Sequence, residues 1–450
     1  MADLSPESIR VAPAKCEAVA DSPQPPVAKE QDVLREHNSS KQALIPPSPK
    51  QQVRRRLSVA EVDGSGIPDL GDNRGLITEL DLKTLIDLFP QARGRKTGRR
   101  FSVGTHTDHD MHRRGSYADK SILSHGHEFD SQEHGIGFAC KKGLKPVSPN
   151  QDSFLVLRIE GQLSMYGVFD GHGRQGHDVS NFVKEFLPKL VAQEEAFGSG
   201  DMETALLNGF RKTQELLEME TNEKRIDASA SGTTCTLVIH KHKKLWVASV
   251  GDSRCVIASP CSVSGELKAV DACRDHKPEL PDELERISRL GGVVIKPPMD
   301  VNHRVYVKGF RFPGLAMSRA LGDLIGHHRA GISATPEISC FDLTGEESML
   351  LCSDGVWEFL SSQAAVDLVA DELGGSNMEM DAAEKLCKVS WDKWISEEHG
   401  TVVDDITAIV ARLWDVDRVS RRTTPGAGLD DERGVSTRSR RQSRTHRETA

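Results

Sequence analysis

The chain has 450 residues, of which 37% are apolar and 28% are charged, so it is long enough for one large core or two domains. The net charge of -9 gives no support to nucleic-acid binding, and no apolar run is long enough to predict a membrane span. The nine cysteines form no C-x-x-C pair, which argues against a zinc ribbon or a disulfide framework. This cysteine usage predicts an intracellular location, in the cytoplasm, the nucleus or both.

Residues 1–135 are predicted to be a mostly disordered regulatory region, because Pro, Ser, Gln, Lys and Glu dominate and little apolar area is available for burial. One short amphipathic helix is predicted at 76–89, where Leu85, Ile86 and Phe89 have helical spacing. A helix of this length is marginal alone, so we expect it to dock on the folded domain. Docking on a partner protein is the less favoured alternative.

A histidine-rich stretch lies in the second half of this region. Its histidines could bind a transition metal, but no fixed ligand spacing recurs, so a solvated linker is the favoured interpretation. The histidines are His106, His109, His112, His125, His127 and His134.

The folded domain is predicted to cover 136–414. Apolar runs predict strands, and Glu160-Gly161-Gln162 predicts the hairpin that joins the first two. Helical spacing predicts the helices, the second of which would be capped by Asp201. The predicted strands are 154–159, 164–169, 234–240, 245–250, 254–258, 293–295, 305–307, 348–353 and 406–413. The predicted helices are 177–190, 202–220, 281–290, 361–373 and 381–395.

The order of these elements bears on the fold class. Strands come in runs and helices in pairs, which predicts an α+β fold with sheets covered by helices on their outer faces. The final segment, 415–450, is polar and ends in a basic stretch, so we expect a disordered tail. The protein is expected to be a monomer.

The stretch 164–173 carries the first residues with a chemical role. An apolar strand ends in Asp170, and the chain then turns on Gly171 and Gly173 with His172 between them. A carboxylate at a strand end, glycines that admit close backbone approach and a titratable histidine suit a metal site in a cleft. An ordinary strand-turn-helix corner is the alternative for this stretch taken alone.

Other aspartates repeat this placement at the ends of apolar strands. Asp354 follows the strand at 349–353, Asp404 directly precedes the last strand, and Asp152 precedes the first. Carboxylates that converge at one end of a sheet repel one another unless cations lie between them. Oxygen ligands suit Mg²⁺ or Mn²⁺, and two such ions can make a shared hydroxide nucleophilic near neutral pH.

Eight sequence blocks, spread over about 136–413, resemble the metal-dependent serine/threonine protein phosphatases of the PPM (type 2C) family, in a plant- and protist-like branch. The resemblance implies a four-layer α-β-β-α sandwich with two central, mainly antiparallel sheets. It also implies hydrolysis of phosphoserine and phosphothreonine in phosphoprotein substrates, in a signalling role. The blocks are Asn150-Gln151-Asp152, Val168-Phe169-Asp170-Gly171-His172-Gly173, Ser231-Gly232-Thr233-Thr234, Gly251-Asp252-Ser253-Arg254, Asp275-His276-Lys277-Pro278, Ser318-Arg319-Ala320-Leu321-Gly322-Asp323, Ser353-Asp354-Gly355-Val356-Trp357 and Asp404-Asp405-Ile406-Thr407.

The resemblance implies a binuclear centre that holds two Mg²⁺ or Mn²⁺ ions and a hydroxide that bridges them. Asp170 would bridge both ions, and the carbonyl of Gly171 would bind one of them. Asp354 and Asp404 would complete the other. Asp275, together with Asp354, would hold a weaker third ion.

Three further roles follow from the same resemblance. Asp152 would orient metal-bound water, and His172 would be the general acid that protonates the leaving seryl or threonyl oxygen, a task that suits a pKa near 6.5. Lys145 resembles the basic residue that grips the substrate phosphate. The family often has arginine there, a two-residue shift is needed for the alignment, and lysine cannot make the bidentate grip of arginine. Lys141 or Lys142 could take this role instead.

Two other functions stay open at this point. A catalytically weak or inactive member of the same fold would act as a scaffold, although the metal-binding aspartates that the resemblance implies are all present. A nucleic-acid-associated protein could work through basic tails such as 436–447, but no RNA-binding signature supports it.

Four serines follow paired arginines at the same spacing, which basophilic kinases of the cyclic-nucleotide-dependent type prefer because an acidic groove pairs with the arginines. All four lie in segments that are predicted to be disordered, where a kinase can bind extended chain. Chance recurrence in polar tails is the alternative. The serines are Ser58, Ser102, Ser116 and Ser443.

Overall fold

The computed structural model describes residues 83–89, 99–107, 120–146, 148–261, 265–375 and 378–413. Within these ranges, no helix is long and apolar enough to cross a membrane. The predicted tail at 415–450 and most of the predicted regulatory region lie outside the described residues.

Strands and helices account for most of the described chain. The strands are β1 Arg100–His106, β2 Ser121–Gly126, β3 Ile136–Lys141, β4 Asp152–Ile159, β5 Leu163–His172, β6 Gly232–Thr233, β7 Cys235–Lys241, β8 Lys244–Val250, β9 Arg254–Pro260, β10 Leu267–Asp271, β11 Gly292–Ile295, β12 Arg304–Val307, β13 Pro313–Leu315, β14 Leu321–Gly322, β15 Glu337–Asp342, β16 Ser348–Cys352 and β17 Ile406–Arg412. The helices are α1 Lys83–Asp87, α2 Ser131–His134, α3 Gly176–Gln193, α4 Glu195–Ser199, α5 Met202–Asn222, α6 Pro281–Arg289, α7 Leu324–Ala330, α8 Asp354–Trp357, α9 Ser362–Gly374 and α10 Glu379–Glu397.

Antiparallel pairing joins the described strands into two large sheets and one small sheet. The first large sheet has the order β15-β8-β7-β5-β4-β1-β2, with β6 beside the end of β5 and β14 beside β6. The second has the order β10-β9-β16-β17-β3, and the small sheet has the order β11-β12-β13.

The two large sheets pack face to face, with helices on both outer faces. All eight residues of β4 are buried because its two faces enter different cores. Phe154 and Val156 contribute to the core between the sheets, whereas Leu155 and Leu157 pack under α3 and α5. A third core packs α9 and α10 on the second sheet. These layers confirm the predicted α+β sandwich.

The folded part of the chain begins before the predicted start at Ile136, so that boundary is wrong. β1 pairs with β4 on one side and with β2 on the other. Within β1, Phe101 and Val103 are buried in the core between the sheets. With only two large apolar side chains, β1 has too weak a hydrophobic pattern to stand out in a polar stretch.

The predicted helix at 76–89 is confirmed for its described part, which is α1 and the two residues after it. Leu85, Ile86 and Phe89 are buried in the core between the first sheet and its helices. The ring of Phe89 lies 6.1 Å from that of Phe197 in α4. The helix therefore docks on the folded domain, which is the favoured alternative.

Part of the histidine-rich stretch belongs to the fold, so it is not a solvated linker there. His106 ends β1, His125 lies in β2, and His127 follows directly after that strand. His134 is buried at the end of α2, with its ring centroid 4.6 Å from that of Phe101. His109 and His112 lie outside the described residues.

One of the four predicted phosphorylation sites is corrected by the structure. Ser102 is fully buried in the middle of β1 and is not in a disordered segment. Main-chain pairing on both sides of β1 keeps it from a kinase in the folded protein. Ser58, Ser116 and Ser443 lie outside the described residues.

A small subdomain lies in the chain between β10 and β15. It consists of α6, the three-stranded sheet β11-β12-β13, and α7. Its own core packs Ile287 of α6 and Ala330 of α7 against Val305 and Leu315 of the small sheet. This subdomain includes the predicted helix at 281–290 and the predicted strands at 293–295 and 305–307.

Candidate metal centre and active site

Four of the predicted aspartates lie at neighbouring ends of the two large sheets. Asp152 at the start of β4 is directly opposite Asp170 near the end of β5. Asp354 begins α8, two residues after β16, and Asp404 lies two residues before β17. β16 and β17 pair antiparallel, which brings these last two aspartates to the same edge. The structure therefore brings the predicted carboxylates together.

Burial and the crowding of these carboxylates raise their pKa values. Burial, followed by the charges of Asp152, Asp354 and Asp404, raises the pKa of Asp170 well above its ordinary value. Burial and the charge of Asp404 do the same for Asp354. The pKa of Asp152 rises to about 7 through burial and the charge of Asp405. Each group is thus easier to protonate than an exposed aspartate, because its negative charge is poorly compensated.

The donor set of this cluster fits a hard divalent cation. Oδ2 of Asp152 accepts a hydrogen bond from Ser353 Oγ at 2.8 Å, whereas its Oδ1 is buried without a partner. Unpartnered carboxylate oxygens with uncompensated charge are what Mg²⁺ or Mn²⁺ would bind. As the side chains are placed, no three His, Cys, Asp or Glu residues of the described ranges are grouped to hold one ion. Carboxylate rotations would therefore accompany ion binding.

Lys145 lies inside the carboxylate cluster, away from the open surface. Its Nζ forms an ion pair with Oδ1 of Asp404 and lies 3.7 Å from Oδ2 of Asp405. Lys142 Nζ donates to the carbonyl oxygens of Gly143 and Lys145, while Lys141 is exposed at the end of β3. The predicted grip of Lys145 on substrate phosphate stays a prediction, and its ammonium partly neutralises Asp404 in this structure.

Asp405, next to the predicted ligand Asp404, joins two loops of the site. Its Oδ1 accepts from the N–H of Gly143 at 2.7 Å, and its Oδ2 accepts from the N–H of Gln151 at 2.9 Å. The carbonyl of Gln151 in turn accepts from the N–H of Gly171 at 3.3 Å. These bonds fix the backbone directly before Asp152 and directly after Asp170.

The predicted general acid, His172, has a partner that sequence reasoning did not assign. Its Nε2 lies 2.6 Å from Oδ2 of Asp323, and both side chains are buried. Burial alone would lower the pKa of His172, but the charge and hydrogen bond of Asp323 raise it above the ordinary value. A Cβ at Gly232 would lie 2.2 Å from Asp323 Oδ2, so only glycine allows this approach.

The surroundings of Asp275 differ from those that a metal ligand needs. Both of its oxygens accept from Arg254, at 2.8 and 2.7 Å. Instead, the charge of Asp252 raises the pKa of Asp354, and Oδ1 of Asp252 is buried without a partner. The other oxygen of Asp252 pairs with Lys277 at 2.5 Å. The third-ion role of Asp275 stays a prediction, and Asp252 is the neighbour that sequence reasoning missed.

A signal for Asp252 exists in the sequence. It follows β8 directly after Gly251, just as Asp354 follows β16, and therefore repeats the placement of an aspartate at the end of an apolar strand. The signal for Asp323 is weaker, because its partner His172 is 151 residues away in the chain.

Comparison with known proteins identifies the family. The family described as "Protein phosphatase 2C" matches residues 148–394. The chain belongs to the protein phosphatase 2C family. It is 33% identical to "Probable protein phosphatase 2C 72" of Arabidopsis thaliana, over 67% of this chain and 93% of the relative. It is 30% identical to "Protein phosphatase 2C homolog 2" of Aspergillus fumigatus, over 60% of this chain and 57% of that relative.

The fold has solved counterparts as well. A serine-threonine phosphatase 2C from Toxoplasma gondii superposes with a TM-score of 0.54 at 20% identity, over 61% of this chain and 93% of that one. The predicted family and enzyme class are confirmed: the protein is a type 2C protein phosphatase, and its family is metal-dependent. The family match begins at 148, so β1, β2 and α1 lie outside it.

Proposed function

We propose that this phosphatase hydrolyses phosphoserine and phosphothreonine in proteins at a binuclear Mg²⁺ or Mn²⁺ centre, in a signalling role. The observation that carries the proposal is the meeting of four aspartates with raised pKa values at one edge of the sandwich. Such perturbed carboxylates are typical of functional sites, because a structural role would favour compensated charges.

Each aspartate has a task in this proposal. Asp170 would hold both ions, helped by the carbonyl of Gly171, while Asp354 and Asp404 would hold one of them. When bound, the ions would supply a water of lowered pKa as the nucleophile. Asp152 keeps one oxygen on Ser353, and its other oxygen, which is buried without a partner, would orient that water.

Proton delivery is the task of the buried His172 and Asp323. The attack on phosphorus expels a seryl or threonyl alkoxide, which is a poor leaving group until it receives a proton. The carboxylate of Asp323 fixes the imidazole and favours its protonated form, since it raises the pKa of His172. The charged form of the acid therefore persists to a higher pH than that of an isolated histidine.

The experiment compares a phosphothreonine peptide and p-nitrophenyl phosphate with Mg²⁺, with Mn²⁺ and with excess EDTA. We expect hydrolysis of both compounds only with an added ion. His172→Ala should slow the peptide far more than the aryl phosphate, because nitrophenolate hardly needs a proton. Full activity in EDTA would refute the metal mechanism, and no activity under any condition would favour the scaffold alternative.

We also propose that a basophilic kinase acts on Ser58, Ser116 and Ser443, and that the enzyme works inside the cell. Each serine follows two arginines with one residue between. Incubation with such a kinase, followed by mass spectrometry, should find phosphate at these serines and none at the buried Ser102 of folded protein. Absence of phosphate at all three, with a control peptide fully modified, would end this proposal.

A further inference from the structure

The small subdomain is tied to the active site at two points, just before its first helix and just before its last. Four residues before α6, Lys277 pairs with Asp252 of the carboxylate cluster. Directly before α7, Asp323 holds His172. The subdomain is therefore anchored beside the site, within reach of the chain that flanks a bound phosphate.

Three segments of the subdomain meet on one exposed surface. The N–H of Lys308, in the turn between β12 and β13, donates to the carbonyl of Gly291, which follows α6 in the chain. Gly291 also lies against the backbone of Arg329 at the end of α7, since a Cβ there would be 3.5 Å from its carbonyl oxygen. The guanidinium of Arg329 stacks on the ring of Phe310, 5.1 Å from its centroid. We name this face the basic tip surface; it comprises Arg289, Leu290, Lys308, Phe310, Arg311 and Arg329.

The cations of the basic tip surface are exposed and have no ion-pair partner among the residues that the structure describes. Elsewhere on the subdomain, most carboxylates are engaged: Glu283 binds Arg286 and Arg319, and Asp300 binds Arg304. Glu285, one helical turn before Arg289, is an exposed exception. The surface thus presents four uncompensated positive charges on a protein whose net charge is -9.

Two apolar side chains lie among these charges. Leu290 is 54% exposed and Phe310 is 50% exposed. Exposed aromatic and aliphatic groups next to unpaired arginines are typical of a surface that binds a partner. A partner with complementary charge would carry acidic residues, together with at least one apolar residue.

The distance from this surface to the general acid limits where those acidic residues lie. Arg329 is six residues after Asp323, which places it about 9 Å farther along the axis of α7. An extended peptide advances about 3.3 Å per residue. With the reach of the arginine side chain included, the recognised residues lie about three to five positions from the phosphorylated one.

We propose that the basic tip surface binds acidic residues that flank the phosphorylated serine or threonine, and so selects phosphoproteins with acidic sites. This inference rests on the proposed phosphatase function and names its substrate class. Arg289, Lys308, Arg311 and Arg329 bind the carboxylates, and Phe310 packs against an apolar residue of the same segment.

The test uses two phosphothreonine peptides that differ only in having three glutamates or three glutamines at positions three to five on each side. The wild-type protein should favour the glutamate peptide about tenfold in kcat/KM, as expected for several exposed ion pairs. The preference should shrink as salt rises from 50 to 500 mM, because exposed pairs are screened. The triple variant Lys308→Glu, Arg311→Glu and Arg329→Glu should abolish or reverse it.

The control variant is Lys268→Glu. Lys268 is exposed on β10, an edge strand of the second large sheet. The variant makes a single charge reversal outside the small subdomain and should keep the wild-type preference. The peptide ratio is taken within each variant, and the rate on p-nitrophenyl phosphate reports whether the catalytic centre of that variant is intact.

Two outcomes would overturn the inference. One is equal use of both peptides by the wild-type protein, and the other is a ratio unchanged in the triple variant. If, in the second case, the triple variant also loses binding to anionic phospholipid vesicles, the surface is assigned to a membrane. Failure of the proposed function is distinct: no peptide and no p-nitrophenyl phosphate would be hydrolysed with either ion.

Discussion

Two groups of buried acidic side chains in this protein differ in how their charge is balanced. In the catalytic cluster, four aspartates outnumber the nearby ammonium groups of Lys145 and Lys277, and their pKa values are raised. In the small subdomain, the single carboxylate of Glu283 receives bonds from Arg286, Arg319 and Ser318. Burial alone would raise the pKa of Glu283, but these bonds lower it to about 2.

The contrast separates a site built for stability from one built for chemistry. Around Glu283, each charge has its partner, so the group holds α6 to the segment at 318–319. Around Asp170, the sequence supplies more carboxylates than cations, which costs stability unless ions bind. An excess of buried charge of one sign therefore marks the functional site better than burial itself.

Asp170→Asn should have the largest effect on activity. Changes in groups that only support metal ligands cost about 10- to 100-fold, so removing a bridging ligand should cost well over 100-fold in kcat. Without metal, the variant should unfold at the same or a higher temperature than the wild type, because one repelling charge is gone. Steady-state kinetics measures the loss of activity, and thermal unfolding in EDTA measures the stability. A lower unfolding temperature of the variant in EDTA would contradict the interpretation that the four aspartates repel one another.

Glu283→Ala should have the opposite profile. It leaves Arg286 and Arg319 without their carboxylate, and breaking a buried pair in this way costs about 3–5 kcal/mol of unfolding free energy. Glu285→Ala is the matched control, since this exposed glutamate on the same helix should change stability by less than about 0.5 kcal/mol. Urea unfolding compares the two variants, and equal small losses would show that the Glu283 cluster is not a stabilising one.

The comparison also shows what the sequence can and cannot reveal. Asp170, Asp354 and Asp404 are predictable because each ends or begins an apolar strand, and an antiparallel sandwich brings such ends together. The ion pair of Lys145 with Asp404 and the bond of His172 to Asp323 join residues 259 and 151 positions apart. No local pattern encodes such contacts, which depend on the packing of both sheets.

The same reasoning explains the missed elements of the fold. β1 has only two large apolar residues, and β15 at the far edge of the first sheet is only half-buried or exposed along its length. Their strand conformation comes from pairing with β4 and β8 and has little support from a hydrophobic pattern. Tertiary contacts therefore determine β1 and β15, and the periodicity of a single sequence does not contain those contacts.

Asp323→Asn tests whether the carboxylate of Asp323 positions and charges His172 in the catalytic region. An amide cannot stabilise the imidazolium, so the pKa of His172 should fall toward or below its ordinary value. The protonated acid is present below that pKa, and the alkaline limb of kcat for a phosphothreonine peptide should therefore move to lower pH. We expect a loss of about 10- to 100-fold at pH 8, with a much smaller loss on p-nitrophenyl phosphate. An unmoved alkaline limb would exclude Asp323 as the residue that positions the acid.

The smallest expected effect is a pH dependence of metal stabilisation. The carboxylates with raised pKa values bind more protons in the folded than in the unfolded state, between about pH 4, the unfolded value for aspartate, and about pH 7, the value for Asp152. Their contribution to stability without metal therefore falls as pH rises through this window. Bound Mg²⁺ replaces these protons and relieves the repulsion, so it should raise the unfolding temperature by several degrees more at pH 8 than at pH 5.

Thermal unfolding with Mg²⁺ and with EDTA at both pH values measures this difference, and Asp170→Asn should reduce it. Equal stabilisation at both pH values would mean that the ion does not bind at the carboxylates with raised pKa values. The excess of buried negative charge, which the Glu283 cluster lacks, would then not mark a metal site.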